Sequence, residues 1–202
     1  TYLLDMDGNV VHLWRGSGVH PRLLENGNLM DTPDDDDASN TFVELDWEGN
    51  IVWRYTDKRD NYATHHDWER IFNPKLGAPT TLYLANRTVT HEECIALGCD
   101  PANDYTGAQV DTVVEVDMDG NVIWEWRFID HLIQDLDPSK ANYVGEGKTI
   151  ADYPGRLNAN LPGRPIRRDW LHLNGMDYNQ RLDQIVFDTV QGEVYIVDHG
   201  NS

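Results

Sequence analysis

Leu45-Asp46-Trp47-Glu48-Gly49-Asn50-Ile51-Val52-Trp53-Arg54-Tyr55 reads as an apolar strand, a tight turn and a second strand with an aromatic residue at its far end. The chain writes nearly the same words twice more, as Leu4-Asp5-Met6-Asp7-Gly8-Asn9-Val10-Val11-His12-Leu13-Trp14 and as Val116-Asp117-Met118-Asp119-Gly120-Asn121-Val122-Ile123-Trp124-Glu125-Trp126. Glycine and asparagine at the turn supply the positive φ angles of a two-residue hairpin. A hairpin that recurs with no helical period between its copies means repeated antiparallel sheet. The reading is therefore all-β, and specifically a β-propeller of four-stranded antiparallel blades.

Spacing fills in the organisation. Gly8, Gly49 and Gly120 lie 41 and then 71 residues apart, one blade of about 40–45 residues and then a blade plus an insertion. The insertion falls near 88–110, around the two cysteines. A second irregular stretch, near 130–167, carries Pro138, Gly145, Gly147, Pro154, Gly155, Pro162, Gly163 and Pro165. That many breakers exclude a regular element and suggest a lid or a packed surface loop. Blades open at His20-Pro21-Arg22-Leu23, at Thr64-His65-His66-Asp67-Trp68 and at Asp169-Trp170-Leu171-His172-Leu173-Asn174. Residues 1–202 thus form a single propeller segment of about three blades. Three cannot close a propeller, so either the chain continues or copies assemble around the axis as a homo-oligomer.

The chain has 202 residues, 40% of them hydrophobic, enough to bury a sizeable core. Its formal net charge of -19 argues against nucleic acid or an anionic membrane as partner, because a phosphate backbone demands a basic footprint. A solvated acidic surface explains the charge most simply, and cation binding is the sharper alternative. No apolar run reaches the length of a membrane span. Cys94 and Cys99, with four residues between them, make a poor zinc site and a good short-loop disulfide, which implies an oxidising compartment.

In a propeller the innermost strand of each blade lines a central channel, so a residue type that recurs on that strand converges on the axis. Here the type is histidine, at His20, His66 and His172. Clustered imidazoles serve as acid, base, nucleophile, anion-binding cation or metal ligand. Asn174, two residues after His172, shares its face on an extended strand and offers an amide to an oxyanion. Asp67 and Asp169 flank these strands, either orienting the imidazoles or ending the strands. Arg167 and Arg168, with Arg164, precede the His172 strand and are candidate anion-binding groups at the channel mouth. The run Asp34-Asp35-Asp36-Asp37 is the one candidate for structural calcium, although it lacks the spacing and glycine of an EF-hand loop. No phosphate loop, dinucleotide fingerprint or serine elbow is present, so no organic cofactor is expected.

Asp169-Trp170-Leu171-His172-Leu173-Asn174-Gly175-Met176-Asp177-Tyr178-Asn179, followed by Gln184-Ile185-Val186 and Val194-Tyr195-Ile196-Val197-Asp198-His199, resembles the bacterial arylsulfotransferase family. His65-His66-Asp67 resembles that family's preceding blade. The resemblance implies a periplasmic or extracellular six-bladed propeller that moves a sulfuryl group from an aryl sulfate to a phenol without a nucleotide donor. It also implies transient sulfation of a channel histidine, in a later blade beyond Ser202. His172 and Asn174 match the sulfate-holding His-x-Asn pair, and His66 the earlier channel histidine. The family's arginine in the following strand is replaced here, within Asp188-Thr189-Val190, by Val190. Two other readings stay open: a non-catalytic propeller serving as a binding or assembly module, and a metal site made by the channel histidines.

Overall fold

Three hairpins set the frame of the computed structural model, which describes residues 1–15, 20–33 and 39–201. They are β1 (Tyr2–Leu4) with β2 (Val10–Leu13), then, within larger sheets, Thr41–Leu45 with Ile51–Thr56 and Ala108–Val116 with Val122–Arg127. Each turn is tied by its first aspartate. Asp46 Oδ1 accepts from Asn50 N at 2.8 Å, and Asn50 Nδ2 donates to Asp46 Oδ2 at 2.9 Å. Asp5 and Asp117 do the same with Asn9 and Asn121. Only the glycine is left-handed, with φ of 84° to 85° at Gly8, Gly49 and Gly120. Gly49 N donates to Asp46 O and Asp46 N to Asn50 O. The loops are therefore three residues long, a turn closed by a glycine bulge, rather than the expected two.

The second sheet runs β3 (Arg22–Leu23), β4 (Leu29–Asp31), β5 (Thr41–Leu45), β6 (Ile51–Thr56) in spatial order, all antiparallel. The third runs β7 (Tyr62–Asn73), β8 (Ala78–Val89), β9 (Ala108–Val116), β10 (Val122–Arg127) in the same sense. These are two four-stranded antiparallel meanders of blade form, as the sequence predicts. Between β8 and β9 lies the first insertion, which opens on helix α1 (His91–Ala96), capped by a reciprocal Thr90–Glu93 box. Between β10 and the last sheet lies the second insertion. It holds a short parallel pair, β11 (Leu132–Ile133) with β12 (Leu157–Asn158), so a small regular element survives where the prolines and glycines excluded one. The last sheet has three strands, β13 (Leu173–Asn179), β14 (Gln184–Thr189) and β15 (Val194–Asp198).

Consecutive sheets pack face to face. Trp14, Leu29, Val43 and Leu45 join the first hairpin to the second sheet. Met30, Phe42, Trp53 and Tyr55 meet Trp68, Tyr83, Val114 and Val116 across the next interface. Leu82, Leu84, Val113 and Phe128 meet Leu173, Met176, Ile185 and Phe187 across the third, where the insertions add Trp170, Leu171 and Ile166. A sheet covered on both sides has no polar face, which is why β5 and nearly all of β9 are buried without alternation. The first strands of successive sheets adjoin, β7 beside β13, and this brings the histidines together.

Candidate functional site

His66 and His172 both leave the regular strand geometry. Their φ angles are 55° and 52°, and Asp169 adds a third left-handed residue at 60°. Each such backbone costs on the order of 1 kcal/mol or more and persists only where its surroundings enforce it. The register slips beside them, between Thr64 and Trp68 on β7 and between Leu173 and Met176 on β13. Such bulges re-aim side chains. Here they turn His66 and His172 toward each other across the two sheets, with Nε2 atoms 2.8 Å apart.

Asp169 accepts a hydrogen bond from His172 Nδ1 at 2.7 Å, which fixes the tautomer of that ring and leaves its Nε2 facing His66. His20 comes to 5.9 Å of His66, ring centre to ring centre. His65 stands 5.2 Å from His66 and 6.1 Å from His172. Its Nε2 lies 3.3 Å from the fully buried Asp111, in a geometry that makes no hydrogen bond. Burial, followed by the charges of His65, His172 and His20, lowers the pKa of His66 below the ordinary imidazole value. A neutral ring is favoured there.

Beside the histidines the three first strands are clamped by carboxylates of β7. Asp67 takes Arg22 of β3 at 3.0 Å and the Met176 N–H of β13 at 2.8 Å. Glu69 takes Arg22 at 3.5 Å and the Tyr178 N–H at 3.0 Å. Burial, opposed by Arg22, pushes the Glu69 carboxyl up to about 7. The clamp borders a cleft of about 620 Å³ lined in part by Arg22, Glu44, Glu69 and Arg70.

The family model for arylsulfotransferase (ASST) matches residues 1–189, nearly the whole chain. The chain belongs to the arylsulfotransferase family. No curated protein matches it. Membership associates the fold with aryl sulfotransfer in general.

Against that family background, the three repeated histidines come together, and Asp169 joins them as the partner of His172. Asp67 has a different part from the one considered for it, holding Arg22 and a backbone N–H rather than an imidazole. Asn174 is exposed and its side chain makes no hydrogen bond among the described residues. The two-residue alternation expected to align it with His172 does not run through this segment, because His172 is left-handed and the register slips just after it. Arg167 and Arg168 are exposed, and neither makes a side-chain hydrogen bond or ion pair among the described residues. Their backbone is clipped to β9 instead, Gln109 N donating to Arg167 O and Trp170 N to Gln109 O. Arg164 is paired with Glu193. Val190 N donates to His172 O at 3.1 Å, so Val190 is a direct neighbour of the site. Asp188, next to it in the sequence but one, accepts from Gly175 N at 2.8 Å.

His65 is the member of the cluster that sequence reasoning left without a role. Two adjacent strand residues normally face opposite sides, and only the left-handed His66 lets both rings approach His172. Cys94 and Cys99, the pair expected to bond, are both buried and lie in hydrogen-bond contact as free thiols. Hydrogen bonds hold that insertion: Asn142 and Asn160 donate to Leu97 O and Gly98 O. Asp34–Asp37, the calcium candidate, lies outside the described residues. Among the described residues no group of three or more His, Cys, Asp or Glu side chains is arranged to hold a metal ion. No helix among them is long and apolar enough to cross a membrane.

Proposed function

We propose that the histidine cluster holds the sulfuryl group of an aryl sulfate and that the protein passes this group to a phenol. The observation that carries the reading is the 2.8 Å approach of His66 to His172, backed by Asp169. Two imidazoles on facing strands, one locked in its tautomer, form a preorganised donor pair for an oxyanion. In the first half-reaction a histidine nitrogen attacks sulfur, the S–O bond to the aryl group breaks, and the phenolate leaves with a proton from an imidazole. In the second, the acceptor phenol gives its proton to that same imidazole and attacks sulfur, and the N–S bond breaks. Such transfer gives ping-pong kinetics. His20, 5.9 Å from His66 ring centre to ring centre, adds to the polar rim of the site. The family resemblance supports a periplasmic or extracellular setting.

The test is release of a coloured phenol from its sulfate ester by the full-length protein, with and without a second phenol. Release that needs the acceptor and falls roughly 10²–10⁴-fold in a folded His172→Ala variant is the expected result. No release from folded wild-type protein would move the assignment to the second reading, a non-catalytic binding module. One observation favours that alternative: the exposed side chain of Val190 provides no positive charge beside His172.

A further inference from the structure

The contact between His66 and His172 fixes how many protons the pair carries. Two nitrogens 2.8 Å apart share a single hydrogen, since two N–H groups cannot point at each other. A carboxylate only accepts, so the Asp169 contact at 2.7 Å puts a hydrogen on His172 Nδ1. In the neutral ring His172 Nε2 is then the acceptor and His66 Nε2–H the donor. A sulfuryl group offers only lone pairs. For both Nε2 atoms to donate to it, the bond between the rings must open and His172 Nε2 must gain a hydrogen.

Resting on the sulfate-holding reading, we propose that the site takes up its oxyanion together with one proton, captured from solvent at His172 Nε2 and balanced by the Asp169 carboxylate. The bookkeeping closes: one negative charge enters with the anion and one positive charge with the proton, and Asp169 keeps its own charge against the new imidazolium. The depressed pKa of His66 agrees with a neutral resting pair.

Other charged and titratable groups face the pair from each neighbouring strand. His20 and Arg22 come from the β3 side, His65 and Asp67 from β7, and Asp111 from β9. Arg22 and Asp67 neutralise each other at 3.0 Å. His65 sits against Asp111 at 3.3 Å. His20 is a ring-contact neighbour of His66 and reaches neither nitrogen of His172 by any hydrogen bond among the described residues. Asp169 is thus a positioning residue: it sets which nitrogen of His172 is free and stabilises the charge that forms there.

Titration calorimetry with benzenesulfonate, an aryl sulfonate whose carbon–sulfur bond does not transfer, tests this on the full-length protein. Runs in two buffers of different ionisation heat count the protons exchanged. The expected result at pH 8 is uptake of about one proton per sulfonate and an affinity that falls about tenfold per pH unit above it. Asp169→Asn lowers affinity at pH 8 by tenfold or more, and the gap closes toward pH 5.5, where solvent supplies the proton to both proteins. A general loss of structure would not produce that convergence. Binding to wild-type protein without proton exchange, or with affinity independent of pH, overturns the proposal and leaves the sulfate-holding reading standing. Failure of folded wild-type protein to bind the sulfonate at any pH overturns both.

Discussion

Glu69 shows how one side chain carries a conflict built into the site. It lies on the histidine-bearing strand, ties Arg22 and the Tyr178 N–H together, and is buried enough that its carboxyl is pushed up to about 7. The ordinary glutamate value is near 4.5. Between those limits the folded state holds a proton that the unfolded chain has lost, so this group makes stability fall as pH rises from 4.5 to 7. The effect is at most roughly 3 kcal/mol. Glu69→Gln keeps an acceptor for Tyr178 and removes the titration. Urea unfolding should find the variant equal to wild type at pH 5 and more stable at pH 8; equal pH slopes would refute the assignment. At this scale the sequence was readable where a residue type recurs. His20, His66 and His172 stand out because each opens a sheet. The part played by His65, the tautomer lock of Asp169 and the loss of alignment at Asn174 were not readable, because they depend on left-handed backbone at three non-glycine residues. Histidine and aspartate tolerate that conformation without advertising it.

The hairpins were legible as elements, since aspartate and asparagine four residues apart around a glycine leave few alternatives. Their loop length was misjudged by one residue, because the aspartate side chain bonds inside the turn and makes it wider. What the hairpins do for one another is a matter of tryptophan. Trp14 donates its indole N–H to Asp46 O at 2.8 Å, and Trp53 donates to Met118 O at 2.9 Å. In both cases an indole of one hairpin reaches the turn of the next. Trp53 also lies under the Arg70 guanidinium, 4.3 Å from its ring centre. Trp53→Phe keeps most of the apolar contact and leaves Met118 O without its donor, so a loss of about 1–2 kcal/mol is expected by thermal or urea unfolding. The insertions behave as one packed unit, which their breaker-rich composition concealed. Gly98, with φ of 75°, passes so close to the buried Gln134 that a Cβ would meet its Cγ and Cδ at 2.8 Å. Gln134 has no room to yield, because Leu136 N, Asp137 N and Asp137 O all bind its amide. Gly98→Ala should therefore cost about 2–3 kcal/mol, or release the insertion to proteolysis in limited-digestion assays.

Across the whole molecule, sheets meet through apolar faces, and the few charges buried between them decide how the assembly responds to pH. The acidic surface was evident from composition, but pairings between distant segments were not, because nothing local links residue 115 with residue 199. His199 is 3% exposed and bridges two sheets: its Nε2 meets Glu115 of β9 at 2.8 Å and its Nδ1 meets Asp183, between β13 and β14, at 2.7 Å. Burial pulls the imidazole pKa down, but the two carboxylates outweigh it and raise the pKa above its usual 6.5. With a proton on each nitrogen the ring satisfies both acids; once neutral, it turns a lone pair toward one of them. A raised imidazole value means that the folded state binds the extra proton more tightly than the unfolded chain. The stabilisation is complete below pH 6.5 and drains away as pH climbs through the folded value. His199→Gln leaves Glu115 buried with Asn73 and Thr80 alone. It should cost about 3 kcal/mol at pH 6, in the range for breaking a buried ion pair. The deficit should shrink by pH 9, where wild type has lost the imidazolium and the variant had none to lose. Urea unfolding of both proteins at the two pH values reads this directly, and a deficit unchanged from pH 6 to pH 9 would show that the bridge is held by packing rather than by charge.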